Sequence, residues 1–313
     1  MTKKIRPKAL KSGATIGVVS PSYWLDSETL EKGVQWLEGH GYKLLIGESV
    51  TAKQDIFAGS PELRANDIMS MFCNESVDAI FCARGGYGAN RVIPLLDFDV
   101  IRNNAKIFMG FSDITTILNS LAQDANLISF HGPMLASFGR TPNEYDLQQM
   151  LNVLGGQSDV IVTDLEDCKA ITLREGDATA ELVGGNLSLI NERLGTPNQI
   201  DCDNKILLIE EVGEKLYAFE RMMLHLKNSG SLSNIKGIIL GEMTEMSDTD
   251  VPFGKTVDEI VLDICEDYQL PIISNFPAGH GTYIATLPIG HEVTLVANQD
   301  ERYIKLTDSP VTK

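Results

Sequence analysis

A single serine stands at a turn between a predicted strand and a predicted helix. The apolar run Lys106-Ile-Phe-Met-Gly110 leads through Phe111 to Ser112, and a helix-like pattern follows. A hydroxyl at the carboxyl end of a strand is presented outward, and the amide groups that open the next helix point at negative charge beside it. Ser112 is therefore a candidate nucleophile, with a helix N-cap as the alternative. The G-x-S-x-G pattern of α/β-hydrolases is not met, because Ile114 replaces its second glycine.

Two other predicted loop ends carry groups that could assist a serine. The apolar strand 206–209 ends in Glu210 and Glu211, and adjacent residues on a strand face opposite ways, so at most one of them points into a shared cleft. Exposed charge at a strand end is the alternative for this pair. His280 follows the predicted strand 272–274 and is bracketed by glycines, which let the backbone turn sharply and leave room beside the ring.

A serine, a carboxylate and a histidine at loop ends permit one well-defined mechanism. The imidazole removes the serine proton, and the carboxylate orients the imidazole. The tetrahedral intermediate then needs two N–H donors for its oxyanion. We assign these to the amide of Asp113, at the predicted helix start, and that of Gly85, in the glycine-rich turn Ala83-Arg-Gly-Gly-Tyr-Gly88.

Two segments partly match nucleotide-binding motifs, but each lacks a required glycine. The glycine-rich turn at 85–88 is not G-x-G-x-x-G, because Arg91 occupies the place of the last glycine counted from Gly86. Gly254-Lys-Thr256 resembles the end of a P-loop, but Thr249 stands where the leading glycine is required. We therefore expect neither a dinucleotide nor a nucleoside triphosphate site.

The composition limits the compartment and the partners. The 313 residues include 26 basic and 43 acidic side chains, a net charge of −17, which opposes binding to nucleic acid or to an anionic membrane. The amino terminus has no apolar signal core, and no run approaches the length of a membrane span. The five scattered cysteines include no C-x-x-C pair, so a reducing cytoplasm is the expected location.

The elements that must position these groups follow an α/β pattern. Strands at 14–20, 42–46, 79–82 and 106–109 alternate with helices from Ser27, around 61–73 and around 89–96, which predicts a doubly wound parallel sheet. Ligands of such sheets bind outside the carboxyl ends of the strands, where Ser112 and the glycine-rich turn fall. Beyond about residue 155 the pattern becomes rich in strands, starting at 159–163, with one clear amphipathic helix at 217–228 whose apolar stripe predicts core.

Five motifs occur in an order that resembles a known family, the LD-carboxypeptidases of serine peptidase family S66. They are Ala-Arg84-Gly-Gly-Tyr-Gly, Gly110-Phe-Ser112-Asp, Gly184-Gly-Asn186-Leu, Leu-Ile-Glu210-Glu-Val-Gly-Glu, and Gly279-His280 followed by Thr-Leu-Pro-Ile-Gly290. The resemblance implies a flavodoxin-like domain at 1–155 carrying the nucleophile and a smaller β-rich domain at 156–313 carrying the acid and the histidine. It also implies a homodimeric cytoplasmic enzyme that uses neither metal nor cofactor.

The family's activity and site residues carry over by position. The resemblance implies release of the terminal D-alanine from murein tetrapeptide during cell-wall recycling, by cleavage of an L,D-peptide bond. Ser112 then matches the nucleophile, His280 the general base, and Glu210 the residue that orients it, while the amides of Gly85 and Asp113 match the oxyanion donors.

Two further residues match substrate contacts, and other functions stay open. Asn186 is similar to a substrate-contacting asparagine, with a turn residue tolerant of positive φ as its alternative. Arg84 could bind the substrate carboxylate or pair with an acidic neighbour. Two alternative functions are a microcin-immunity-like peptidase acting on aminoacyl-nucleotide conjugates and a non-catalytic small-ligand-binding protein.

Overall fold

The computed structural model describes residues 4–157, 160–161 and 165–313. The chain forms two compact units. One comprises Met1–Ser158, Ala285–Gly290 and Asp308–Lys313, and the other comprises Asp159–Ile284 and His291–Thr307. A domain boundary between residues 155 and 156 stays a prediction, and the two short returns to the first unit have no counterpart in it.

The strands and helices alternate through the first half of the chain. The strands are β1 Thr15–Val19, β2 Lys43–Ile46, β3 Ala79–Cys82, β4 Ile107–Gly110, β5 Ser129–His131, β6 Val160–Ile161, β7 Ile171–Arg174, β8 Gly176–Asn186, β9 Ile206–Val212, β10 Gly237–Thr244, β11 Ile272–Gly279, β12 Leu287–Ile289, β13 Glu292–Ala297 and β14 Arg302–Leu306. The helices are α1 Ser27–Gly39, α2 Glu48–Thr51, α3 Pro61–Cys73, α4 Phe98–Asn103, α5 Thr115–Gln123, α6 Leu135–Arg140, α7 Glu144–Leu154, α8 Leu187–Arg193, α9 Leu216–Asn228 and α10 Val257–Ile264.

The first unit contains the predicted parallel sheet. Its strand order is β12-β5-β4-β3-β1-β2, in which β1 to β5 run parallel and β12 pairs antiparallel with β5. The parallel part has the 2-1-3-4-5 order of flavodoxin-like folds, so this prediction is confirmed. Strands β3 and β4 are buried along their whole length, which explains why they read as continuous apolar runs.

The second unit contains an eight-stranded sheet in the order β6-β14-β13-β8-β9-β10-β11-β7. The four strands β8 to β11 run parallel, and antiparallel strands flank them on both sides. One face packs on α9, whose Phe219, Met223 and Leu226 belong to the buried core, as the amphipathic pattern predicted. Of the strand expected at 159–163, Val160–Ile161 forms β6, while residues 159, 162 and 163 lie outside the described residues.

One predicted helix is wrong. The segment expected as a helix around 89–96 forms two short 3-10 turns, Ala89–Arg91 and Ile93–Leu95, and the helix that precedes β4 is instead α4. Pro94 has no N–H to donate to a preceding turn, which accounts for the failure of a continuous α-helix here. Within residues 4–157, 160–161 and 165–313, no helix is both long and apolar enough to cross a membrane.

Candidate active site

Ser112 occupies a strained turn directly after β4. Its φ is +63°, in the left-handed region that non-glycine residues seldom adopt. Phe111 before it is extended, and Ser112 opens a 3-10 turn that runs into α5. The N-cap positions of that turn and of α5 are Phe111 and Ile114, so Ser112 is not the N-cap of either. Such strain persists where the surrounding structure imposes it, and it is common at catalytic turns.

The glycine-rich loop after β3 packs directly against this turn. A Cβ built on Gly85 would lie 2.9 Å from Ser112 Cβ, 3.0 Å from its Oγ and 3.5 Å from the Asp113 nitrogen. Only glycine therefore fits at position 85 without displacing Ser112. The two amides assigned from the sequence as oxyanion donors thus belong to neighbouring backbone segments at the carboxyl edge of the sheet.

The Asp113 side chain has a role that the sequence analysis missed. Its carboxylate is buried, and Oδ2 accepts hydrogen bonds from the Ser22 hydroxyl and, over 2.8 Å, from the Ala89 N–H. Ser22 follows β1 and Ala89 ends the glycine-rich loop, so one carboxylate connects three loops of the sheet edge. No motif in the sequence links these residues, because 24 and 91 positions separate them from Asp113.

Arg84 opens the glycine-rich loop as a half-buried cation. Its Nη1 donates to the Trp24 carbonyl over 3.5 Å, and its guanidinium lies 5.5 Å from the centre of the Tyr23 ring. Burial and the nearby charge of Arg140 lower the pKa of this guanidinium. Within the described part of the chain Arg84 forms no ion pair, so the alternative of an acidic partner is not met.

In the second unit, β9 and β11 bring Glu210 and His280 together. His280 Nδ1 donates to Glu210 Oε2 over 2.8 Å, and the carboxylate is fully buried while the imidazole is 23% exposed. The other oxygen, Glu210 Oε1, is buried without a hydrogen-bond partner among the described residues. The bond at Nδ1 fixes the tautomer of a neutral ring, which leaves Nε2 as a proton acceptor.

The charge around His280 favours its protonated form. Burial lowers the pKa of His280, but the hydrogen bond to Glu210 and the charges of Glu210, Glu211 and Glu245 outweigh burial, so the pKa is raised above 6.5. A raised pKa makes the neutral imidazole bind a proton more strongly, while a smaller fraction of the rings is neutral at a given pH.

Glycine clears the space that this pair requires. Gly279 has a φ of +116°, and a Cβ on it would lie 2.7 Å from Glu210 Oε2. A Cβ on Gly281 would overlap the Glu242 carboxylate. Gly279 is therefore needed for the close approach of Glu210, whereas the neighbour of Gly281 is the movable end of the Glu242 side chain.

Glu211 faces the other side of β9 and holds the turn that contains Asn186. Its Oε1 accepts from Asn186 Nδ2 over 3.0 Å and from its neighbour's amide, Val212 N–H, over 2.9 Å, while Oε2 accepts from Ser188 N–H over 2.8 Å. Asn186 is buried at the N-cap of α8 with a φ of −65°, so the alternative of a positive-φ turn residue is wrong. Asn186 therefore caps α8, and Glu211 holds the turn at Asn186 through its hydrogen bonds. Glu210, on the other face of β9, is the glutamate that contacts His280.

Each unit thus contains one group of candidate residues. The first unit has a strained serine beside two backbone amides, and the second has a buried carboxylate bonded to an imidazole. These are the groups of a serine-type hydrolase.

Family comparison gives this class a narrower definition. The LD-carboxypeptidase N-terminal domain model matches residues 16–132, and the LD-carboxypeptidase C-terminal domain model matches residues 179–295, together more than half of the chain. The chain belongs to the LD-carboxypeptidase family, peptidase family S66. The predictions of this family and of a serine-type carboxypeptidase are confirmed.

Individual relatives cover nearly the whole chain. A probable murein peptide carboxypeptidase of Bacillus subtilis is 33% identical over 296 residues, which are 93% of this chain and 91% of that protein. The microcin C7 self-immunity protein MccF of Escherichia coli is 26% identical and covers 96% of this chain and 94% of its own. An MccF structure superposes with a TM-score of 0.90 at 23% identity, covering 98% of this chain and 100% of that one, which supports the fold. A muramoyltetrapeptide carboxypeptidase structure from Oxalobacter formigenes gives a TM-score of 0.82 at 26% identity, covering 95% and 100%.

Proposed function

We propose that this protein is a murein tetrapeptide carboxypeptidase that releases the terminal D-alanine by hydrolysing an L,D-peptide bond. The observation that carries the proposal is the hydrogen bond from His280 Nδ1 to the buried Glu210. A loop histidine bonded to a fully buried carboxylate is the arrangement that a serine nucleophile requires, and a small-ligand-binding protein has no need of it. The names of the murein carboxypeptidase relatives support this substrate class.

The proposed reaction uses five groups: the Ser112 hydroxyl, the His280 imidazole, the Glu210 carboxylate and the amides of Gly85 and Asp113. Ser112 Oγ attacks the carbonyl carbon that precedes the terminal D-alanine, and His280 Nε2 takes the hydroxyl proton while Glu210 stabilises the imidazolium. The amides of Gly85 and Asp113 donate to the oxyanion. Collapse of the tetrahedral intermediate breaks the C–N bond, and His280 returns the proton to the leaving amine of D-alanine.

Water completes the cycle by the same steps. His280 takes a proton from the water, the hydroxide attacks the acyl ester on Ser112, and the proton returns to Ser112 Oγ as the shortened peptide leaves. The proposal requires Ser112 and His280 to meet in the working enzyme.

Substrate contacts follow from charge. The terminal carboxylate of the substrate needs a cation in a strongly acidic protein, and Arg84 is half-buried, adjacent to Gly85 and free of a carboxylate partner among the described residues. We assign Arg84 to that carboxylate, and Asn186 to a contact with the peptide from the end of β8. A homodimer located in the cytoplasm completes the proposal.

D-alanine release measured by mass spectrometry tests this function. Wild type, Ser112→Ala and His280→Ala are incubated with murein tetrapeptide and EDTA, and a tetrapeptide ending in L-alanine is the matched control substrate. We expect release from the D-terminated peptide by wild type alone. Release by Ser112→Ala at the wild-type rate would contradict the proposed nucleophile.

A second substrate separates the main alternative. The similarity to MccF over nearly the whole chain favours aminoacyl-nucleotide conjugates as the next candidate, so an aspartyl sulfamoyl adenosine is offered to the same variants. Cleavage of this conjugate without D-alanine release would replace the murein function. If wild type cleaves neither substrate and a covalent serine probe does not label Ser112, the ligand-binding alternative gains support.

A further inference from the structure

Two buried charged side chains, Arg64 and Asp113, hold the loops next to the Ser112 turn. Arg64, on α3, is 1% exposed, and its Nη1 donates to the carbonyls of Pro21 and Gly88, the latter over 3.0 Å. Burial lowers the pKa of the Arg64 guanidinium, and the negative charge of Asp113 partly offsets that effect. Buried arginines are rare unless their charge and hydrogen bonds are matched by partners.

The two side chains hold the same two loops at consecutive residues. The Arg64 guanidinium donates to the carbonyls of Pro21 and Gly88, while the Asp113 carboxylate accepts from the next residue of each loop, Ser22 and Ala89. The loop after β1 and the glycine-rich loop after β3 are therefore each fixed by one cation and one carboxylate. In the glycine-rich loop the two contacts hold one peptide group, because the Gly88 carbonyl and the Ala89 N–H belong to the same peptide bond.

The consequence concerns the amides next to Ser112. Gly85 lies in the glycine-rich loop, which ends at Gly88 and Ala89. Asp113 is the residue after Ser112. The distance between the two amides therefore depends on how firmly the glycine-rich loop is joined to the Ser112 turn. The hydrogen bond from Ala89 N–H to Asp113 Oδ2, at 2.8 Å, makes that connection directly.

We infer that the Asp113 carboxylate and the Arg64 guanidinium act together as positioning residues, which set the separation of the Gly85 and Asp113 amides for the reaction at Ser112. The inference rests on the proposed function, in which these amides bind the oxyanion. Neither side chain touches the reacting atoms in this account. Both act on the transition state through the backbone they hold, so their loss reduces kcat and leaves KM almost unchanged.

A buried aspartate in the same unit provides a matched control. Asp67, also on α3, is 7% exposed and accepts backbone hydrogen bonds from Glu48 N–H over 3.2 Å and Ser49 N–H over 2.6 Å. Its contacts hold the turn after β2 rather than the Ser112 turn. Asp67→Asn therefore disturbs a similar buried carboxylate without loosening the amides of Gly85 and Asp113.

The test measures kcat and KM for D-alanine release, together with thermal stability, in wild type, Asp113→Asn, Arg64→Lys, the double variant and Asp67→Asn. We expect kcat to fall by about 10- to 100-fold in each of the first two variants, because a misplacement of about 1 Å can cost that much in rate. Because the two residues act as one unit, the double variant should be no more than about threefold slower than the slower single variant. Asp67→Asn should lose thermal stability and keep the wild-type kcat.

Three outcomes would overturn the inference. One is a wild-type kcat in Asp113→Asn, the second is a double variant whose loss is the product of the single losses, and the third is an equal loss of kcat in Asp67→Asn. If Asp113→Asn does not fold, Ser22→Ala removes one of the two donors more gently and should lower kcat by about three- to tenfold at constant KM. An unchanged kcat in Ser22→Ala would also count against the inference. Absence of D-alanine release by wild type would instead refute the proposed function.

Discussion

The contact between Gly85 and Ser112 gives the sharpest prediction about catalysis. Replacement of Gly85 by alanine adds one methyl group at a point 2.9 Å from Ser112 Cβ and 3.0 Å from its Oγ. A carbon–carbon contact is comfortable at about 3.5 to 4.0 Å, so one of the two segments has to move by roughly 0.6 Å or more. Ser112 Cβ is fixed by the backbone of the turn, so it cannot rotate away as the end of a long side chain would, although Oγ can turn about χ1.

We expect Gly85→Ala to affect kcat more than the free energy of unfolding. Overpacking by one methyl group typically destabilises a fold by about 1–3 kcal/mol. A displacement of this size at the nucleophile and at one oxyanion donor should reduce kcat by about 10²-fold or more. KM should change little, because the substitution leaves Arg84 and Asn186, the proposed substrate contacts, unaltered. Steady-state D-alanine release with a thermal melt of the same preparation measures both effects.

Gly39→Ala is the matched control for this substitution. Gly39 ends α1 in the same unit, nothing lies within 4 Å of a Cβ built on it, and it does not have a positive φ. The added methyl group there should leave kcat unchanged and keep or slightly raise stability, because alanine favours a helix by about 1 kcal/mol over glycine. A Gly85→Ala enzyme with wild-type kcat would refute the assignment of this loop to the catalytic site.

Three further predictions concern Glu210, His280 and Glu211 in the second unit. Glu210→Gln removes the charge that raises the pKa of His280, so the acidic limb of the kcat/KM profile should move to lower pH, with kcat reduced by about 10⁴-fold. The pKa of His280 is raised in the folded protein, so protonation of His280 stabilises the fold below pH 6.5. This contribution is lost as the pH rises through the folded pKa. In urea titrations, His280→Ala should therefore lose more stability at pH 5 than at pH 9. Glu211→Gln disturbs a buried acceptor of three hydrogen bonds and should lower the free energy of unfolding by about 1–3 kcal/mol. Because the charge of Glu211 also raises the pKa of His280, the acidic limb should move to lower pH, but by less than in Glu210→Gln.

Much of the fold was predictable because its strands and helices satisfy local rules. α3 begins with Ser60 as N-cap and proline in the first turn, and the structure has it at the predicted residues 61–73. β3 also has its predicted bounds, because a four-residue apolar run buried on both faces has few alternatives. The helix expected around 89–96 failed where Pro94 and the glycine-rich loop left only 3-10 turns.

The candidate site was predictable in part for a related reason. The glycine-rich turn and the glycines that flank His280 indicate where the backbone comes close to other groups. In the structure, Gly85 approaches Ser112 and Gly279 approaches Glu210. The choice between Glu210 and Glu211 depends on which face of β9 meets His280, and only the three-dimensional pairing decides it. Arg64 was out of reach, because a charged residue within an amphipathic helix predicts a solvated face, and its partners lie on distant loops.

The proposed site residues lie on two units, and substitutions in the two units should affect the pH profile differently. The proposed nucleophile and oxyanion amides lie next to loops of the first unit that Asp113 and Arg64 hold, whereas the proposed base and its carboxylate lie on β9 and at the end of β11 in the second unit. The glutamates that raise the pKa of His280, which are Glu210, Glu211 and Glu245, all belong to the second unit. Asp113→Asn should therefore lower kcat at every pH and leave the acidic limb of the kcat/KM profile where wild type has it, while Glu210→Gln moves that limb. A shift of the limb in Asp113→Asn would mean that the first unit also sets the protonation of the base.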